Sequence, residues 1–228
     1  MLIGNIIEVL KRISHACMRS GRGPADAQLV AVSKTVDIPR IQDAIDAGLR
    51  TFGENRVQEA ARKIEHFRER SGITWHFIGT LQKNKAKKAV ALFDVIESVD
   101  SMELLEKIEK YASDAGKVQK IFIQVKLSSE VSKFGAAPEY GYELVRRATE
   151  LQHVDLEGLM TIPPYFEDAE ESRPYFRRLR EIQGDLIEKG FEVRNLSMGM
   201  SNDYEVAIEE GATIVRIGTA IFGERVYQ

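Results

Sequence analysis

The sequence predicts an α/β fold, a single (β/α)8 barrel of the TIM type with an extra helix at its N-terminal end. Three observations lead there. Short apolar runs alternate with longer amphipathic stretches, the runs number eight, and 228 residues approach the span of about 250 that eight βα units usually take. A doubly wound open sheet shows the same alternation with fewer repeats and is the main rival.

In chain order, Ile3, Ile6, Ile7, Leu10 and Ile13 recur at helical spacing, so residues 1–20 read as a core-facing amphipathic helix packed on the barrel. The eight runs are Gln28–Ser33, Arg50–Phe52, Trp75–Ile78, Asp94–Glu97, Lys120–Val125, Val154–Leu159, Val193–Leu196 and Thr213–Ile217. Between them, sets such as Ile38/Ile41/Ile45, Leu104/Leu105/Ile108/Ala112 and Phe176/Leu179/Ile182/Leu186 mark helices with one apolar face. Ser101 suits the cap of a helix starting at Met102, Pro138 suits a first turn, and Gly48 and Gly190 fall where helices stop. Residues 19–27 and 161–167 are the loop-rich stretches, and neither is long enough for a linker. The expectation is therefore one domain over 1–228, with the first helix covering the side where the last unit is cut short after Phe222.

Composition narrows the function. With 32 basic and 35 acidic residues, the net charge of −3 argues against a polyanion-binding protein, so nucleic acid is not an expected partner. Cys17 is the one cysteine, which excludes a disulfide framework and a thiolate-rich metal site and suits a reducing compartment. No apolar run approaches the roughly 18 residues of a membrane span, and the N-terminus has no cleavage signal; a cytoplasmic protein is expected.

The residues that follow each run carry the chemistry, because a barrel gathers all its strand ends on one face. Lys34 follows the first, Gly53-Glu54-Asn55 the second and Gly79-Thr80 the third; Met198-Gly199-Met200-Ser201 follows the seventh and Gly218-Thr219 the eighth. Ser201, Gly218 and Thr219 put hydroxyls and free N–H groups where barrels commonly hold phosphate. Each glycine alone would only permit a turn, but the two loops together favour a phosphate-bearing small ligand. Lys34 shares a strand face with Val30 and Val32; desolvation would favour its free amine, the form that condenses with an aldehyde. A surface lysine just past a strand end is the alternative, and spacing does not decide between them. Arg216 lies inside Thr-Ile-Val-Arg-Ile, where a guanidinium needs a fixed acceptor: either a structural ion pair with Glu54 or Glu157, or the ring nitrogen of a bound heterocycle.

Several segments together resemble the pyridoxal phosphate homeostasis proteins. They are Ala-Val-Ser-Lys34-Thr, Phe-Gly-Glu-Asn55-Arg-Val-Gln-Glu, Trp-His-Phe-Ile-Gly-Thr-Leu-Gln-Lys-Asn-Lys, Ser-Lys-Phe-Gly135, Gly-Leu-Met160-Thr-Ile-Pro, Leu-Ser-Met-Gly-Met-Ser201-Asn-Asp and Val-Arg216-Ile-Gly-Thr219-Ala-Ile-Phe-Gly. The resemblance runs in order from Leu29 to Gly223 and implies the barrel of the alanine racemase N-terminal domain. It implies pyridoxal 5′-phosphate as cofactor, with Lys34 as the lysine that forms the internal aldimine and Arg216 facing the pyridine nitrogen. Ser201, Gly218 and Thr219 become the phosphate cradle, Asn55 lines the cofactor, and Met198 and Met200 flank the ring or phosphate loop. Lys83, Lys85 and Lys87 depart from the family pattern, which touches that surface only.

An arginine does not readily give its proton to the ring nitrogen, which handicaps carbanion chemistry. The related racemase adds a tyrosine base from a second domain; Tyr140, Tyr142, Tyr165, Tyr175 and Tyr204 match no part of that motif. No catalytic residue and no metal ligand is therefore assigned. The expected function is storage, buffering or delivery of pyridoxal 5′-phosphate, released when an incoming amine displaces Lys34, with free amino acids and apo forms of enzymes that use the cofactor as partners. A racemase or lyase acting on amino acids is the first rival, and a Schiff-base aldolase the second. Among weaker signals, His76 reads as a hydrogen-bonded core histidine rather than a general base, and Cys17 as a small buried hydrophobe. Lys83, Lys85, Lys87 and Lys88, with Arg62 and Lys63 one unit away, read as a solvated basic face.

Overall fold

The computed structural model describes residues 2–128, 130 and 134–223. Eight parallel strands close into a barrel in sequence order: β1 (Gln28–Val32), β2 (Thr51–Glu54), β3 (Thr74–Phe77), β4 (Val95–Val99), β5 (Gln119–Gln124), β6 (Val154–Met160), β7 (Asn195–Ser197) and β8 (Ile214–Ile217). Closure comes from β1 pairing with β8, Leu29 opposite Val215 and Val30 opposite Arg216, so the open-sheet rival is excluded. The helices are α1 (Leu2–Arg19), α2 (Ile38–Asp46), α3 (Val57–His66), α4 (Ala86–Leu92), α5 (Met102–Asp114), α6 (Pro138–Glu150), α7 (Arg173–Glu188), α8 (Tyr204–Glu209) and α9 (Thr219–Phe222).

Strand alternation divides the interior into two apolar regions. Outward residues such as Ala31, Phe52, Ile96, Ile121 and Val215 join the helices in one large core. Val30, Val95, Phe122, Met160 and Ile214, from five strands, form a separate cluster, the packed plug of the barrel. Two residues farther along the same strands come Val32, Glu97, Gln124 and Arg216. They share the inward face one layer nearer the strands' C-terminal ends, and three of the four are polar. The plug thus forms a floor beneath a polar layer.

Local punctuation follows the sequence with one exception. Asp37 caps α2 by accepting from the Arg40 N–H at 3.2 Å, and Gly48 and Gly190 end their helices with φ of 102° and 87°. Ser101 stands at the cap position of α5 but makes no side-chain cap bond.

Helix α1 packs against α8 and α9. Asn5 Nδ2 donates to the Ile221 carbonyl at 3.0 Å, and Arg12 and Arg19 pair with Glu205 on α8. The sequence expectation was too broad here. Ile6, Val9, Ile13, Ala16 and Cys17 are buried, whereas Ile3, Ile7 and Leu10 are exposed because the apolar band of α1 is wider than its line of contact. Cys17 is fully buried, as expected of a small hydrophobe. Among the described residues, no helix is long and apolar enough to cross a membrane.

Candidate functional site

The C-terminal ends of the strands enclose a cavity of about 1070 Å³. Seven of the eight strand ends or the loops after them reach it, through Lys34, Asn55, Thr80, Gln124, Ile162, Ser201, Arg216, Gly218 and Thr219 among others. Of the predicted site residues, the structure brings together Lys34, Asn55, Ser201, Arg216, Gly218 and Thr219. Met200 also lines the cavity; Met198 does not. Met198 is fully buried in the core between strands and helices, because Ser197 points into the barrel and the next side chain must point out. Met198 is thus placed away from the cavity rather than at the ligand, and Gly199, with its positive φ, redirects the chain after β7 so that Met200, two residues on, lines the cavity.

Lys34 is half-buried in the turn that leaves β1. The turn is closed by the Val36 N–H donating to the Ser33 carbonyl at 2.9 Å. Asn55 leaves β2 beside Gly79; a Cβ on Gly79 would lie 2.4 Å from the Asn55 carbonyl oxygen, so the two strand ends meet only because that residue is glycine. Across the cavity, Ser201 Oγ accepts from the Gly218 and Ala220 N–H groups at 3.3 and 3.4 Å. This ties the loop after β7 to the first turn of α9 and produces a hydroxyl-lined hollow among backbone N–H groups, suited to an anion. Gly199 makes the hollow possible, with φ of 95° and space so tight that a Cβ would stand 2.6 Å from that of Ala207. Arg40, another lining residue, donates to the Phe222 carbonyl and adds a cation at the same end.

Arg216 is buried and held on two sides. NH1 donates to Ser197 Oγ at 2.5 Å and NH2 to the Thr161 carbonyl at 2.8 Å, with Glu97 Oε2 at 3.6 Å. Glu97 also accepts from Ser197 Oγ, and its Oε1 lies 2.5 Å from His76 Nδ1. The acceptors expected for Arg216 are thus replaced by Glu97. Glu54 faces Lys63 and Ser33, and Glu157 pairs with Lys120. Burial pushes the Glu97 carboxyl up, but the hydrogen bond and charge of His76, the charge of Arg216 and the Ser197 hydroxyl together hold it below the usual carboxylate range. Burial pulls the Arg216 guanidinium down, opposed by Glu97 and Asp203. The reading of His76 as a hydrogen-bonded core histidine agrees with this network.

Sequence reasoning missed several residues at or under this face. Asp203 lines the cavity and accepts from the Met200 N–H at 2.6 Å; burial pushes its carboxyl up. Phe134 and Tyr165 line the mouth and are exposed. Lys63, grouped by sequence with a basic face, is instead buried against Glu54 and Glu59. Inward parity would have flagged Glu97, but nothing in the local sequence marks Lys63 as buried. Of the predicted motif Ser132-Lys133-Phe134-Gly135, Ser132 and Lys133 lie outside the described residues.

With this geometry in place, comparison with known proteins is informative. The alanine racemase N-terminal domain family matches residues 10–226. A pyridoxal phosphate homeostasis protein of Aquifex aeolicus is 48% identical over 220 residues, 96% of each chain. One from Escherichia coli K12 is 39% identical over 225 residues, 98% of this chain and 96% of the other. The solved structure of PipY from Synechococcus elongatus, with pyridoxal phosphate bound, matches with a TM-score of 0.84 at 39% identity, over 94% of this chain and all of that one. An alanine racemase of Clostridium difficile shares the fold at a TM-score of 0.70 with 14% identity, the match taking in 57% of its chain. The chain belongs to the pyridoxal phosphate homeostasis protein family, within the alanine racemase N-terminal domain group.

Proposed function

We propose that this protein binds pyridoxal 5′-phosphate in the barrel-end cavity and takes part in its storage, buffering or delivery. The observation that carries the reading is that one cavity gathers a primary amine, an anion hollow and a buried cation: Lys34, then Ser201 with Gly218 and Thr219, then Arg216. The relatives' naming as homeostasis proteins, and the cofactor in PipY, support it. When bound, the cofactor supplies an aldehyde that condenses reversibly with primary amines. Lys34 provides the amine, Ser201 and the adjoining N–H groups hold the phosphate, and Asn55 lines one wall. Arg216, fixed by Ser197, Thr161 and Glu97, presents a cation that keeps its own proton.

That last property supports holding over turnover, since a ring nitrogen facing Arg216 receives no proton and the ring stays a weak electron sink. The recipients proposed are free amines, amino acids and apo-enzymes that need the cofactor. One observation favours a second reading, a racemase- or lyase-like enzyme: Tyr165 and Asp203 line the cavity and could exchange protons with a bound amino acid.

Reconstitution decides between success and failure of the main reading. Purified wild type should turn yellow with pyridoxal 5′-phosphate, and Lys34→Ala should remain colourless while keeping its fold. A wild type that takes up no cofactor would falsify the proposal. Amino-acid turnover by the loaded protein above that of free cofactor would establish the second reading instead.

A further inference from the structure

Lys34 occupies a strained turn. It is the second residue of the four from Ser33 to Val36, and Thr35, the third, has φ of 63°. A positive φ at that place is the type II signature, usually met by glycine or asparagine; a β-branched threonine is disfavoured there. Something outside the turn must hold it.

Three side chains do so. Glu59, on α3, accepts from the Thr35 N–H at 2.6 Å. Glu54, at the end of β2, accepts from the Ser33 hydroxyl at 2.6 Å. Between them lies Lys63, also on α3, only 5% exposed. Its ammonium donates to the Ser33 carbonyl at 2.7 Å, to Glu54 Oε1 at 2.8 Å and to Glu59 Oε1 at 2.7 Å. The residues immediately before and after Lys34 are thus tied to one buried cation. An ammonium has three donors and all three are met, which leaves Lys63 a strut rather than a second amine for a ligand. None of the three side chains lines the cavity.

We propose that Lys63, Glu54 and Glu59 form a positioning cluster that holds the Ser33–Val36 turn in its left-handed form and so keeps the Lys34 amine presented to the cavity. The inference rests on Lys34 being the amine that captures the cofactor. The chain would otherwise relax Thr35 toward negative φ and swing Lys34 out of register with the anion hollow. Both glutamates of Phe-Gly-Glu54-Asn-Arg-Val-Gln-Glu59 thereby gain a role beyond the cavity wall, at a spacing that puts one on the strand end and the other on the first turn of the next helix.

The test uses Glu59→Ala, a partly exposed helical position that tolerates alanine. Hydrogen exchange should show the Thr35 amide protected in wild type and exposed in Glu59→Ala, with strand amides unchanged. Affinity for pyridoxal 5′-phosphate should fall about tenfold, the scale set by strain in a left-handed residue that is not glycine. Adding Thr35→Asn, which tolerates the left-handed form, should restore affinity to within about threefold of wild type. A purely structural loss would not be rescued at Thr35. A wild type that binds no cofactor overturns the assignment of Lys34 and this inference with it. A wild type that binds, while Glu59→Ala binds equally well or is not rescued by Thr35→Asn, overturns the inference alone.

Discussion

Arg216 and Lys63 show what a buried cation demands of its surroundings. Each is nearly inaccessible to water, and each is met by at least one carboxylate and one backbone carbonyl. Removing one side of such a pair strands the other charge. Arg216→Met is therefore expected to destabilise the fold by about 3–5 kcal/mol in urea titrations, and adding Glu97→Gln should recover part of that loss. Equal or greater loss in the double variant would show that Glu97 does not depend on Arg216. The presence of an inward arginine was legible from its place in an apolar run. Its acceptor was not, because Glu97 lies 119 positions away in sequence and reaches Arg216 only when the barrel closes.

At the scale of elements, α1 closes the side of the barrel formed by α8 and α9. Its buried face of Ile6, Val9, Ile13, Ala16 and Cys17 lies against α8 and α9, so Ile13→Ala should cost about 2–5 kcal/mol, read as a lower urea midpoint with an unchanged slope. Little change would mean that α1 is an appendage. The eight strands and their order could be read from the sequence, since short apolar runs bounded by helical periods leave few other arrangements. What periodicity did not resolve was orientation. Ile3, Ile7 and Leu10 share the apolar band of α1 yet face solvent, and Met198 turns away from the cavity while Met200 lines it. For α1 the deciding information is which neighbour the helix packs against, and that lies outside its own residues; for the two methionines it is the positive φ of Gly199, which turns the chain between them.

For the molecule as a whole, closure of the barrel turns dispersed loops into one chemical surface and places acid-sensitive groups beneath it. Glu97 titrates below the ordinary carboxylate range in the fold, chiefly because its partners outweigh the opposing effect of burial. Its contribution to stability is thus complete above the unfolded value of about 4.3 and lost as pH falls through the lower, folded value. Glu54 runs the other way: burial raises it despite Lys63 and Ser33, so its contribution fades as pH rises through its folded value. Acid unfolding of Glu97→Gln should accordingly show a shallower loss of stability below about pH 4.3 than wild type, measured by urea midpoints across that range. An identical pH profile would assign the acid limb to other carboxylates.

The site itself was legible where motif residues follow strand ends, as Lys34, Ser201, Gly218 and Thr219 do. It was not legible where support comes from the layer behind, as with Lys63, which sequence grouped with a solvated basic face and the fold buries against Glu54 and Glu59. We propose Lys34 as the amine that holds pyridoxal 5′-phosphate. Borohydride reduction of the loaded protein, followed by digestion and mass spectrometry, tests it most directly. A single stoichiometric reduced pyridoxyl adduct is expected, on Lys34. An adduct on another lysine, or none on a protein that demonstrably carries the cofactor, would contradict it.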